Sequence, residues 1–106
     1  MSGQITGAES WKEEDGALPE FTLRLFIAGG SLNSTRAITN LTAICTEHLE
    51  GRYTLEVIDV RADKEVAVRE QIVALPLLIK DSPLPVRRLI GDMSNKERVL
   101  RGLGIL

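Results

Sequence analysis

The chain has 106 residues, 43% of them hydrophobic and 26% charged, with a formal net charge of −2. That length suits one domain with a core of ordinary size, and the near balance of charge lacks the basic bias of a nucleic-acid binder. A single cysteine, Cys45, excludes an internal disulfide and a cysteine-only metal site, and no apolar stretch is long enough to span a membrane.

Residues 1–20 set one lysine, Lys12, against Glu9, Glu13, Glu14, Asp15 and Glu20 among glycines and serines. With no sustained period, this segment reads as a disordered acidic leader ahead of a domain over residues 21–106. Trp11 is its one large apolar residue; docking on the domain or on a partner is weighed against a loose side chain, and the loose reading is preferred. No basic segment followed by an apolar one marks a secretory signal, so the cytoplasm is the expected location.

Phe21 to Ala28 alternates as a strand and Gly29-Gly30 breaks it. Ser31, Asn33 and Ser34 are competent N-caps for a helix running to about Leu49, with Ile38, Leu41, Ile44, Cys45, His48 and Leu49 near one face and Gly51 as its stop. Tyr53 to Val60 is rich in β-branched residues and reads as a second strand, parallel to the first in a right-handed βαβ unit. Asp63 caps a weaker helix through about Ile72, its apolar positions including Val66 and Val73.

Leu77–Lys80 and Val86–Ile90 predict two short strands joined by a stiff loop with Pro83 and Pro85, an antiparallel hairpin. Ser94-Asn95-Lys96-Glu97 fits a capping box, with Ser94 as cap, before a last helix carrying Val99, Leu100 and Leu103. The order β-α-β-α-β-β-α predicts an α/β, thioredoxin-like fold with a mixed sheet and helices on both faces.

Redox enzymes of that fold keep two cysteines at the N-terminus of the first helix, where the helix dipole stabilises a thiolate. Here that position holds Ser31-Leu32-Asn33-Ser34, so disulfide exchange there is chemically excluded. Cys45 falls on the apolar side of the helix, where a buried structural thiol is expected. His48 lacks neighbours of metal-ligand spacing, and Gly29-Gly30-Ser31 lacks the Lys-Ser/Thr end of a phosphate loop. No catalytic residue, metal ligand or cofactor is assigned. Of Arg87 and Arg88, which point to opposite faces of a strand, one is expected to be solvated and the other paired internally.

Four segments together resemble the KaiB family: Ile27-Ala28-Gly29 with Asn33-Ser34 and Arg36-Ala37; Val57-Ile58-Asp59-Val60; Pro85-Val86-Arg87-Arg88-Leu89-Ile90-Gly91-Asp92; and Ser94-Asn95-Lys96-Glu97-Arg98-Val99-Leu100. The resemblance covers about residues 21 to 103. It implies a non-enzymatic role in binding the hexameric ATPase KaiC or a KaiC-like ATPase, with a clock histidine kinase as a further candidate partner. It also implies two forms, one thioredoxin-like and one with a rearranged C-terminal half that assembles as a tetramer. Homo-oligomerisation as a dimer or tetramer is therefore carried alongside the monomer.

The chain departs from the clock pattern at Leu84, where a middle proline is usual, at Gly104, where an aspartate is usual, and in stopping at Leu106. These departures fall in the segment that refolds and weigh against the tetrameric form. Leu75 stands where threonine is usual before Pro76, and a cis bond there fits the thioredoxin-like form. Glu56 replaces a lysine on the strand that meets downstream clock partners, which suggests a divergent paralogue with its own KaiC-like ATPase in a clock, stress or signalling system.

The resulting candidates for partner binding are Glu56, Arg61, Lys64 and Arg69, and Pro76, Gly91 and Asp92 are expected to shape the fold. Two alternatives stand beside this reading. One is a small glutathione transferase-like, thiol-binding enzyme using Ser31 or Ser34, and the other is a structural dimerisation module. Helix capping by the serines is the preferred account of the first feature.

Overall fold

The structure, a computed structural model, describes residues 20–106; apart from Glu20, the acidic leader and Trp11 lie outside them. The elements follow the predicted order: β1 (Phe21–Ile27), α1 (Leu32–His48), β2 (Tyr53–Asp59), α2 (Lys64–Arg69), β3 (Leu77–Ser82), β4 (Arg87–Ile90) and α3 (Lys96–Leu103). They form one mixed sheet in the order β2-β1-β3-β4. β1 runs parallel to β2, with Phe21 opposite Tyr53 and Arg24 opposite Glu56. β3 is antiparallel to β1, with Leu25 opposite Leu78 and an irregularity between Thr22 and Leu23. β4 closes the hairpin with Leu77 opposite Ile90.

Strand alternation divides the core into two layers. Phe21, Leu23, Leu25 and Ile27 point to one face and pack with Ala37, Leu41, Ile44, Cys45 and Leu49 of the α1 region and with Val99, Leu100 and Leu103 of α3. The other face carries a smaller cluster of Phe26, Val66, Leu77 and Ile79, edged by Ile58, Val60, Ile72 and Leu75. A long amphipathic helix and a C-terminal helix thus share one layer, while six-residue α2 covers the second largely through Val66. As expected of a chain so poor in aromatics, the buried core is mostly aliphatic.

Two local expectations change, and a third acquires its partner. α2 stops at Arg69 rather than near Ile72, and Val73 is 92% exposed beyond it; Gln71 is left-handed, with φ +55°, and the Ile72 amide bonds back to the Ala67 carbonyl at 2.9 Å, which closes the helix end. The N-cap of α3 is Asn95, whose side chain accepts from the Arg98 amide at 3.1 Å, so Ser94 is not the cap. Ser94 instead donates its amide to Asp92 Oδ1 at 3.0 Å, one residue before the helix can be closed. Finally, Arg88 bonds the Glu70 carbonyl and, at 3.3 Å, that of Gln71, so its internal partners are the backbone ends of α2 rather than a carboxylate. The carbonyls that terminate a helix lack intrahelical donors, and a guanidinium supplies them.

Candidate partner-binding surface

Ser31 caps α1: its hydroxyl accepts from the Ser34 amide at 3.2 Å and donates to Ser34 Oγ at 2.9 Å. Ser34 is buried and accepts from the Ala28 amide at 3.0 Å. Both hydroxyls are thus engaged in tying the β1–α1 turn together, an arrangement that suits capping. Cys45 lies inside the core, and burial pushes its thiol pKa up to about 11. The thiol therefore stays protonated near neutrality. A thiol-reactive maleimide at pH 7 is expected to label native protein slowly and urea-unfolded protein fully; equally fast labelling of both would place Cys45 at the surface.

The three residues expected to shape the fold lie close in the structure, two of them directly bonded. Pro76, buried and preceded by a cis peptide bond, accepts through its carbonyl from the Gly91 amide at 3.0 Å. Gly91 holds φ +124°, backbone that side-chain-bearing residues rarely adopt. Asp92 is tied to α1, since its carbonyl accepts from Asn40 Nδ2 at 2.9 Å. Its carboxylate pKa is lowered chiefly by the Ser94 side chain and then by the Ser94 amide. The Ser82–Pro83 and Leu84–Pro85 bonds of the hairpin loop are also cis.

The four partner-binding candidates occupy β2, the turn after it and α2. Glu56 is exposed in register with Arg24. Arg61 lies over Gly29 so closely that a Cβ there would sit 1.7 Å from a guanidinium nitrogen, and the φ of +57° at Gly29 independently favours glycine. Asp59 fixes this corner: its Oδ1 accepts from the Arg61 amide at 2.9 Å and the Gly29 amide at 3.1 Å. These bonds, the Arg61 amide foremost, hold the Asp59 carboxylate below its ordinary pKa. Asp63 caps α2 by accepting from the Val66 amide at 3.3 Å, and Lys64 and Arg69 sit exposed at the two ends of that helix. Among the described residues no hydrogen bond or ion pair links any two of the four. They form a charged, solvated surface held in place by Val66 below it.

One constellation was invisible in the sequence. Arg24 donates through Nε to Asp81 at 2.6 Å and through Nη1 to Glu70 at 2.9 Å, joining β1, β3 and the end of α2. Side-chain bonds to Asp81 and then Glu70 raise the guanidinium pKa further, and Arg24 in turn holds Glu70 below its ordinary value. With the partners 46 and 57 positions apart, no spacing rule could have signalled it. Among the described residues no group of His, Cys, Asp and Glu is arranged to hold a metal ion, and no helix is long and apolar enough to cross a membrane.

The geometry has counterparts. A family model described as KaiB domain matches residues 24–105. The chain is 49% identical over 84 residues to circadian clock protein KaiB3 of Synechocystis sp., covering 79% of this chain and 82% of that protein. It is 45% identical over 86 residues to circadian clock oscillator protein KaiB of Thermostichus vulcanus, covering 81% and 80%. Among solved structures, the N-terminal domain of Synechococcus elongatus SasA aligns with a TM-score of 0.67 at 18% identity, over 92% of this chain and 96% of that one. Mitochondrial thioredoxin 3 from Saccharomyces cerevisiae aligns at 0.66 with 16% identity, over 82% and 79%. These two structures show that the fold is thioredoxin-like.

Proposed function

The chain belongs to the KaiB family, and from that membership we propose that it is a non-enzymatic, protein-binding regulator whose partner is a KaiC-like ATPase. The observation that carries this is the match, at 45–49% identity over about four fifths of both chains, to proteins named for the circadian clock. The absence of a thiol at the start of α1, with Ser31 and Ser34 bonded to one another, supports a fold used for contact rather than for exchange chemistry.

The proposed contact surface is Glu56, Arg61, Lys64 and Arg69. All four are exposed, three are cationic, and they sit on elements whose own positions are fixed by Asp59, Asp63 and Val66. Such a surface steers a partner of opposite charge and sets its register. Pro76, Gly91 and Asp92 are proposed to shape the fold by joining the start of β3 to the end of β4 and to α1.

Affinity capture from native lysate with ATP, read by mass spectrometry, is expected to recover a KaiC-like ATPase. Failure to recover one, with the ATPase confirmed as expressed and the bait folded, would overturn the partner. Against the recovered ATPase, Lys64→Glu with Arg69→Glu is expected to weaken binding at least about tenfold, which is about 1.4 kcal/mol. Unchanged affinity in that double variant would remove α2 from the interface.

A further inference from the structure

The sheet face opposite α1 is covered by α2 only as far as Arg69, and past it lies an open pocket of about 200 Å³. Its lining is Val73, Ala74, Leu77, Arg88, Ile90 and Arg98. Val73 and Ile90 are 92% and 46% exposed, an unusual cost for large apolar side chains so close together. Two arginines stand at the rim. Arg88 bonds the carbonyls of Glu70 and Gln71, and Arg98 Nη1 donates to the Ile90 carbonyl at 3.0 Å. Each guanidinium carries five N–H donors, and among the described residues neither arginine pairs with a carboxylate. The pocket is thus an apolar seat with an unneutralised cationic rim. It is smaller than the ~300–1,000 Å³ typical of small-molecule sites, which suits a single side-chain anchor.

The chain itself contains the complementary segment. Trp11, its one tryptophan, adjoins a single cation, Lys12, and is flanked by four carboxylates, Glu9, Glu13, Glu14 and Asp15. An aromatic ring amid carboxylates suits apolar walls bordered by guanidinium groups, which also attract the ring face. The tether reaches. The Glu20 carbonyl is held by Ser82 Oγ at 3.3 Å, at the end of β3 beside the hairpin loop. From there to the pocket is about 5 Å across one strand spacing and about 14 Å along β4, and the nine residues from Trp11 to Glu20 extend to as much as ~30 Å. β4 is moreover an edge strand, so the path runs beside backbone groups that the sheet leaves unpaired.

We propose that residues 1–19 fold back along the β4 edge and seat Trp11 in the pocket between Arg88 and Arg98, so that the acidic leader is an intramolecular ligand of the domain. This stands apart from the ATPase reading and does not depend on it.

Because Trp11 is the one tryptophan in the chain, its fluorescence reports the contact directly. The full chain is expected to show blue-shifted emission and weaker acrylamide quenching than a synthetic peptide of residues 1–19, independent of protein concentration. Arg88→Glu with Arg98→Glu is expected to abolish both differences. So is Val73→Asp, a change at an exposed loop position that leaves the fold intact by circular dichroism. Emission and quenching equal to those of the peptide in the unaltered chain would overturn the proposal. So would protection that survives both sets of substitutions, and protection that rises with concentration would replace the intramolecular occupant by a second copy.

Discussion

Phe26→Ala is expected to lower the unfolding free energy by about 3–5 kcal/mol. Phe26 is fully buried and is the largest member of the cluster formed with Val66, Leu77 and Ile79. That cluster is one residue deep in places, because α2 spans six residues and buries Val66 alone. Removing the ring leaves a cavity that α2 cannot fill without leaving its cap at Asp63. Domains of this size are stable by roughly 5–15 kcal/mol, so urea unfolding of the variant should begin near zero denaturant. Thermal unfolding should fall by on the order of 20 °C. Val68→Asp, 80% exposed on the same helix, is the control and is expected to stay within about 0.5 kcal/mol of the parent. Equal losses from the two substitutions would show that the Phe26 cluster does not hold α2. The consequence reaches the proposed contact surface, since Lys64 and Arg69 ride on that helix.

Arg24→Met is expected to cost about 1–3 kcal/mol at neutral pH, with a distinctive dependence on pH. Arg24 is three-quarters buried and donates to Asp81 and Glu70 at once, with its guanidinium carbon 5.3 Å from the centroid of the Phe26 ring. Methionine keeps much of the stem's packing and removes the cation, which leaves two carboxylates facing each other at the end of α2. In the parent chain Glu70 is held below its ordinary pKa by the Arg24 hydrogen bond. A carboxylate whose folded pKa is depressed contributes stability that is fully present above its unfolded value, about 4.3 for glutamate, and is lost as pH falls through the lower folded value. The variant lacks that contribution and adds repulsion that acid relieves. The gap between parent and variant is therefore expected to be widest at pH 7 and to narrow below about pH 4. A gap that stays constant from pH 7 to pH 3 would assign the loss to packing alone. Because Arg24 stacks on Phe26, the two substitutions combined should cost less than the sum of their separate effects.

Much of the architecture was legible in one dimension because the signals are local. Alternation in Phe21–Ile27, the β-branched run ending at Asp59 and the amphipathic stretch from Ser31 to Leu49 depend on neighbours within a few residues, and each became the expected element. The absence of cysteine at the start of α1 excluded redox chemistry there by composition alone. Misreadings arose where two local solutions compete. Ser94 and Asn95 are both good caps, and the choice of Asn95 follows from where Asp92 takes the Ser94 amide. The length of α2 was overestimated because no glycine marks its end: Gln71 takes the left-handed conformation, φ +55°, and turns the chain out of the helix.

The sequence by itself determined the order of elements, the aliphatic core, the family and the exclusion of disulfide exchange at the start of α1, since each rests on residue type and short-range period. Tertiary structure alone decided that Arg24 bridges Asp81 and Glu70, that Arg88 closes the end of α2, that Gly91 meets Pro76 and that Arg61 covers Gly29. These contacts join residues up to 57 positions apart. Pairing of that kind carries no spacing in the chain, because only the stacking of strands and the crossing of a helix over them bring the partners within bonding distance.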